Sequence, residues 1–266
     1  MQTTLAQIGF GEAGSTFARA GQWGAQAVAF DRDNACGAAM QAAGVEPAAN
    51  AALALRGATL VLSLVTADQA MLAAEACAPF LEPDALWCDG NSVAPETKRA
   101  AARAIEAAGG RYVDMAILAP VEPARLAVPI LLSGTAAAEA EAALRGLGFS
   151  KVRVVGAEVG RASAIKMIRS VMVKGIEALT DEMMAAAAVA GVTEEVLSSL
   201  DASENARPWA ERAAYNLERM ATHGLRRAAE MEESAKTLQG LGIEPVMTEG
   251  TVLRQRAAAT KKERAA

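Results

Sequence analysis

Three glycines near the start of the chain, in the stretch IGFGEAGSTFARAG, constrain the fold more than any other feature. Gly9, Gly11 and Gly14 form the spacing G-x-G-x-x-G, after the apolar run TLAQI and at the opening of a helical pattern. In a strand–turn–helix unit each glycine has its own task. The first permits a tight turn, the second lets the backbone approach a pyrophosphate, and the third lets the helix lie close to the strand. The free N–H groups and the positive end of the helix dipole then face an anion. Phe10, Glu12 and Ala13 complete this loop. Glu12 either sets a carboxylate beside the phosphates or points outward and favours the helix N-terminus.

Beyond the loop, strands and helices alternate. AQAVAFD, ATLVLSLV, ALWCD, RYVDMAIL, PILLSG and KVRVVG read as strands. Helices are expected at residues 34–43, 68–78, 94–110 and 136–147. This order implies a mostly parallel sheet covered on both faces. After residue 160 no strand pattern remains. Residues 162–190 contain one glycine and no proline, as one long helix requires. Further helices are expected at 193–203, 208–222, 224–239 and 245–262, with Pro208 and Pro245 at helix starts. The expectation is an N-terminal Rossmann dinucleotide-binding domain over residues 1–158. An all-helical substrate and dimerisation domain is expected over residues 159–266.

Asp31 closes the second strand, about twenty residues after the loop, where a carboxylate can accept hydrogen bonds from both adenosine ribose hydroxyls. It would repel a 2′-phosphate and so favours NAD. Arg32 argues for NADP, because a guanidinium pairs with that phosphate or stacks on adenine. The cofactor expected is NAD or NADP, with NAD favoured.

Composition excludes other classes. The net charge is −5 and no basic stretch tracks a phosphate backbone, which argues against nucleic acid. The tail KKERAA reads as a solvated helix end. The apolar run MMAAAAVAGV is too short for a bilayer span, so no membrane partner is expected. Cys36, Cys77 and Cys88 lack metal-ligand spacing and read as buried thiols in a reducing cytoplasm, and no metal site is expected.

The long helix carries a candidate for chemistry, beside the alternative of a lysine that snorkels to solvent. Lys166, Ser170 and Lys174 lie four apart, with Arg169 on a neighbouring face. Ile165, Ile168, Val171 and Met172 flank them, so the cationic stripe is expected beside a buried surface. Burial and mutual repulsion both lower a lysine pKa. Such a lysine could exchange a proton with an alcohol or carbonyl oxygen.

Four segments, GFGEAG, DGNSVAP (89–95), DMAILAP (114–120) and GRASAIKMIRS (160–170), resemble in content and order the β-hydroxyacid dehydrogenase family. That family includes 3-hydroxyisobutyrate and 6-phosphogluconate dehydrogenases. The resemblance covers nearly the whole chain. It implies a Rossmann domain, a helical domain built around a long helix, and an active site between them. It implies that Lys166 is the catalytic lysine. Ser92 then matches the Ser/Thr near nicotinamide and substrate, with Asn91 beside it, and Val65 and Thr66 match the strand end beside the cofactor. The chain departs from the family at Leu118, Ala119 and Pro120, which replace Ser-Gly-Gly. Ser170 stands where asparagine is usual, and Ala229 and Glu230 where the family has a Lys-Asp pair. The C-terminal pattern is similar to a less characterised, phosphogluconate-dehydrogenase-like branch.

The expected activity is an NAD(P)-dependent hydride transfer between nicotinamide and a secondary alcohol, a hydroxyacid, or the carbonyl counterpart. Lys166 is the expected acid/base, and Ser92, Ser170, Lys174, His223 and Arg226 the expected substrate contacts. His223, the only histidine, reads alternatively as a cap or surface residue, and Arg111 and Arg125 as surface arginines. The alternatives are a decarboxylating sugar-acid dehydrogenase, an imine reductase, and a cofactor-binding protein without turnover. The partners expected are a small-molecule substrate and, because small residues let helices approach closely, a second copy of the chain in a homodimer.

Overall fold

The computed structural model describes residues 4–203, 208–240 and 245–265, and the chain divides into two compact units, Met1–Lys166 and Met167–Ala266. The first unit runs β1 (Leu5–Ile8), α1 (Glu12–Gly21), β2 (Ala27–Phe30), α2 (Cys36–Ala42), β3 (Glu46–Pro47) and α3 (Ala51–Leu55). It continues with β4 (Leu60–Ser63), α4 (Ala70–Cys77), β5 (Leu86–Asp89), α5 (Pro95–Ala107), β6 (Arg111–Ile117), β7 (Ile130–Ser133), α6 (Ala137–Gly146) and β8 (Val152–Gly156). The first turns of α7 (Arg161–Ala190) close it.

The strands form one sheet in the order β3-β2-β1-β4-β5-β6-β7-β8, parallel except for the β6–β7 pair. Strand side chains alternate between two faces. Leu5, Leu60, Leu62, Leu86 and Met115 pack on one face beneath Phe17 of α1, Met40 of α2 and Leu144 of α6. Ala6, Val61, Trp87 and Tyr112 pack on the other beneath Leu55 of α3, Cys77 of α4 and Ile105 of α5. This is the doubly wound Rossmann arrangement. The chain turns one way from β1 to β2 and the other way from β1's neighbour β4. The strand order therefore reverses between β1 and β4, the place where sheets of this kind take a ligand outside the strands' C-terminal ends.

The second unit is all-helical among the described residues: the rest of α7, α8 (Thr193–Ser203), α9 (Trp209–Gly240) and α10 (Val246–Ala265). Two helices expected at 208–222 and 224–239 are one helix, α9. Gly224 does not break it, because a Cβ there would stand 2.2 Å from the Gln255 carbonyl oxygen of α10. The glycine serves close packing within the helix. The side chains of the charged tail, 261–266, lie outside the described residues. Among the described residues no helix is long and apolar enough to cross a membrane.

Candidate active site

The glycine loop has the geometry its spacing predicts. Gly9 sits at φ +95°, and an added Cβ would stand 2.5 Å from the Leu64 carbonyl oxygen and 2.9 Å from Val65 Cγ1. Gly14 likewise lets the first turn of α1 lie on the loop, since a Cβ there would be 2.5 Å from the Gly9 carbonyl oxygen. Gly11 differs: nothing lies within 4 Å of its missing Cβ. As the N-cap of α1 it brings no side-chain oxygen to the helix start, so this end of the helix is open to an external anion. Two close approaches and one open position are what a pyrophosphate bed needs.

Asp31 follows β2 and reaches back to the loop. Its Oδ2 accepts the Phe10 N–H at 2.6 Å and its Oδ1 accepts the Asp33 N–H at 2.9 Å. Arg32 turns to Gln69 Oε1, at 2.5 Å. Burial first, then Asp31 and Asp33, push the nearby Cys36 thiol up from its ordinary pKa.

A polar row crosses the sheet at the C-terminal ends of its strands. Register pairs Ser63 with Asp89, Asp89 with Asp114, and Asp114 with Ser133, all buried. Asn91 links the segments that follow β4 and β5. Its Oδ1 accepts the Val65 N–H at 2.7 Å, and its Nδ2 donates to Ser63 Oγ at 3.0 Å. Thr66 comes next, at the N-cap of the short 3-10 turn that leads into α4. Asp89 Oδ1 accepts the Asn91 N–H at 2.9 Å, and Tyr112 Oη donates to Asp89 Oδ2 at 2.6 Å. Lys98 of α5 is wholly buried, donating to Asp89 Oδ1 at 2.9 Å and lying 3.6 Å from Asp114 Oδ1.

Asp114 in turn holds the start of α7. Its Oδ2 accepts the Gly160 N–H at 3.1 Å, the Ser163 N–H at 2.9 Å and the Ser163 hydroxyl at 3.1 Å. A carboxylate at a helix N-terminus satisfies orphan donors and complements the dipole. One turn later Lys166, half-buried, donates a hydrogen bond through Nζ to Ser92 Oγ. The structure thus brings Lys166, Ser92, Asn91 and Val65 to one edge of the sheet, the edge that carries the glycine loop.

Sequence reasoning passed over Lys98, Tyr112 and the capping role of Asp114. The signal was present for Lys98: it stands with Ala101, Ala102 and Ile105 on the buried stripe of α5, where a lysine is out of place unless paired. Leu118, in place of a polar residue, packs on Ala116, Leu131 and Ala162, and its N–H donates to the Pro129 carbonyl oxygen at 2.9 Å.

Ser170, Lys174, His223 and Arg226 belong to the second unit. Lys174 is buried and ion-paired with Glu230, which also lies 3.6 Å from Arg226. Burial pulls the Lys174 amine below its ordinary pKa, Glu230 opposes this, and Arg227 and Arg226 add to it. Glu177 pairs with Arg227 and accepts from Gln255 Nε2 at 3.2 Å, so buried charges join α7, α9 and α10. Ser170 is buried and His223 half-buried. One expectation needs correction. The apolar residues flanking the cationic stripe do not face a core in this chain: Ile168 and Met172 are exposed, and Lys174 is the buried member. The reason is Glu230, which draws the lysine face of α7 onto α9.

The family described as the NAD binding domain of 6-phosphogluconate dehydrogenase matches residues 4–156, more than half of the chain. A conserved hypothetical protein from Sinorhizobium meliloti 1021 is 39% identical, covering 98% of this chain and 89% of that one, with a TM-score of 0.76. The chain belongs to the β-hydroxyacid dehydrogenase family. As a member it is an NAD(P)-dependent dehydrogenase of the class acting on CH–OH groups. A second family, described only as a domain of unknown function, DUF1932, matches residues 187–258. The conserved protein MTH1747, of unknown function and described as structurally similar to 3-hydroxyacid dehydrogenases, is 29% identical. It covers 98% of this chain and 99% of that one, at a TM-score of 0.72. The 3-hydroxyisobutyrate dehydrogenase of Mycobacterium tuberculosis, in a structure with L-serine, is 16% identical at a TM-score of 0.78. That match covers 97% of this chain and 94% of that one, and at this identity the fold is what the two share.

Proposed function

We propose that this dehydrogenase moves a hydride between nicotinamide and a secondary alcohol, a hydroxyacid, or the carbonyl counterpart, with Lys166 as the general acid and base. The observation that carries the reading is the Lys166–Ser92 contact at the sheet edge occupied by the glycine loop. The bound dinucleotide supplies or accepts the hydride. The residues of the chain do the rest. Gly9, Phe10, Gly11, Glu12, Ala13 and Gly14 form the bed for the pyrophosphate, and Asp31 takes the adenosine ribose. Val65, Thr66 and Asn91 line the nicotinamide side. Ser92 orients the oxygen of the substrate, and Lys166 takes the hydroxyl proton during oxidation and returns it during reduction.

NAD is the preferred cofactor in this reading. Two carboxylates, Asp31 and Asp33, would repel a 2′-phosphate, while Arg32 is already engaged by Gln69. Residues 1–158 act as the dinucleotide-binding domain, and residues 159–266 as the substrate and dimerisation domain. His223 and Arg226 are proposed as substrate contacts, to be tested as a rise in KM on alanine substitution. Ser170 and Lys174 are proposed to position that surface from within the buried helix face. The protein is proposed to work in the reducing cytoplasm, in keeping with three free thiols. It is also proposed to be a homodimer. The exposed residues Ile168, Met172, Ile176 and Leu179 recur every three to four positions along α7, the stripe one helix offers another. Sedimentation at micromolar concentration should give a dimer, and a monomer there would refute it.

The decisive experiment is Lys166→Ala assayed on a panel of alcohols, hydroxyacids and carbonyls. Turnover should fall by at least about 10²-fold, the usual share of acid–base catalysis. A variant that keeps wild-type turnover on a verified substrate refutes the assignment. Release of CO2 would instead favour a decarboxylating sugar-acid dehydrogenase, and reduction of cyclic imines an imine reductase. Cofactor binding without turnover anywhere in the panel would mean a binding protein.

A further inference from the structure

We propose that Lys98 is a positioning residue for Lys166 and Ser92. Its buried ammonium ties the strand end that presents Ser92 to the carboxylate that holds the first turn of α7. The inference rests on the reading of Lys166 as acid and base.

Lys98 is 0% exposed. Its ammonium donates to the Asp89 carbonyl oxygen at 2.5 Å and to Asp89 Oδ1 at 2.9 Å, and faces Asp114 Oδ1 at 3.6 Å. Each carboxylate carries one half of the catalytic pair. Asp89 Oδ1 accepts the N–H of Asn91, the residue before Ser92. Asp114 Oδ2 accepts from Gly160 and Ser163, and Ser163 lies three residues before Lys166, just under one helical turn. Asp89 and Asp114 are direct cross-strand partners on β5 and β6, so without the ammonium two buried negative charges would stand side by side. One charge balances the other two only in part, and the positive end of α7 takes up the remainder. Lys98 thus joins the two carboxylates that hold Ser92 and Lys166, alongside Ser133, whose Oγ donates to Asp114 Oδ2 at 3.1 Å and accepts the Ala162 N–H at 3.0 Å. A shift of about 1 Å at either end exceeds the tolerance of a hydrogen bond and of a catalytic pair.

The test reads Lys166 directly. Wild type, Lys98→Met and Ser92→Ala are labelled with a trace of acetic anhydride over a pH series, and each lysine is quantified by mass spectrometry. In folded Lys98→Met, the pH profile of Lys166 should leave the wild-type curve and approach that of Ser92→Ala. Lys151 and Lys236 should label as in wild type. On any substrate the wild type turns over, kcat should fall about tenfold or more. Should Lys98→Met fail to fold, Lys98→Gln decides by the same two readouts. It keeps a hydrogen-bond donor and removes the charge that faces Asp89 and Asp114. A Lys166 profile and a kcat indistinguishable from wild type in the variant that folds overturn the proposal. Labelling needs no substrate, so this outcome is separate from a failure of Lys166→Ala to lower turnover, which would sink the acid–base reading itself.

Discussion

Alanine at Gly9 and alanine at Gly11 should fail in opposite ways, and the contrast tests the cofactor bed. At Gly9 the backbone is left-handed, φ +95°, which costs a residue with a Cβ about 1–2 kcal/mol. The added methyl also meets the Leu64 carbonyl oxygen at 2.5 Å and its carbon at 2.7 Å. These are backbone atoms at the end of a central strand and cannot swing aside, so overpacking adds about 1–3 kcal/mol. The sum, about 2–5 kcal/mol, lowers the Tm of a unit this size by roughly 5–15 °C. Gly11 has φ −73° and an empty surround. Alanine is a poorer N-cap than glycine, but it narrows the unfolded ensemble by about 0.4–1 kcal/mol. The two effects offset, and Tm should stay within about 2 °C. On the proposed binding mode the methyl nevertheless stands where a phosphate approaches the helix end. Losing one charge-assisted hydrogen bond, about 1.5–3 kcal/mol, raises Kd for the dinucleotide roughly 10–100-fold. Differential scanning fluorimetry and titration calorimetry on the two variants read both quantities. Wild-type affinity in Gly11→Ala, or a Tm loss there equal to that of Gly9→Ala, refutes this account of the loop.

Further tests address the rest of the molecule. On the proposed preference for NAD, in which Asp31 faces the 2′ position, Asp31→Asn should narrow that preference by about tenfold; fluorescence titration of both reduced cofactors checks it. Burial pushes the Cys77 and Cys88 thiols from 9.0 to about 12. The folded chain keeps protons that the unfolded chain loses, so the thiols' contribution to stability is constant below about pH 9 and falls from there towards pH 12, by up to about 4 kcal/mol per thiol. Urea unfolding over that range should show the slope, and Cys88→Ala should reduce it by about half. Gly224→Ala, with a Cβ 2.2 Å from a backbone oxygen of α10, should destabilise the helical unit by about 1–3 kcal/mol and leave dinucleotide affinity unchanged. A wild-type Tm would show that α9 and α10 can part without cost.

The parts legible in the sequence were those governed by local rules. The β-rich runs became strands, residues 193–203 became α8 with the expected bounds, and the glycine spacing produced the turn it implied. The misses have a common character. β3 is two residues, Glu46 and Pro47, with no strand propensity of their own; they pair because β2 leaves an edge beside them. The helical break expected at residue 223 did not occur, because a buried glycine between two helices is retained for contact. The apolar side of α7 was expected inside and lies outside, because Lys174 finds Glu230 fifty-six residues further on.

The sequence alone determined a glycine loop between a strand and a helix, a carboxylate at the end of the next strand, and a change from alternating elements to helices near residue 160. All three arise from steric and hydrogen-bonding rules that act over a few residues. Only the tertiary structure decided that Ser92 meets Lys166, seventy-four residues away, and that Lys98 sits between Asp89 and Asp114. Those pairings exist because parallel register lines up the ends of β5 and β6 beneath the start of α7. Register is a property of the assembled sheet, and no short stretch of the chain contains it.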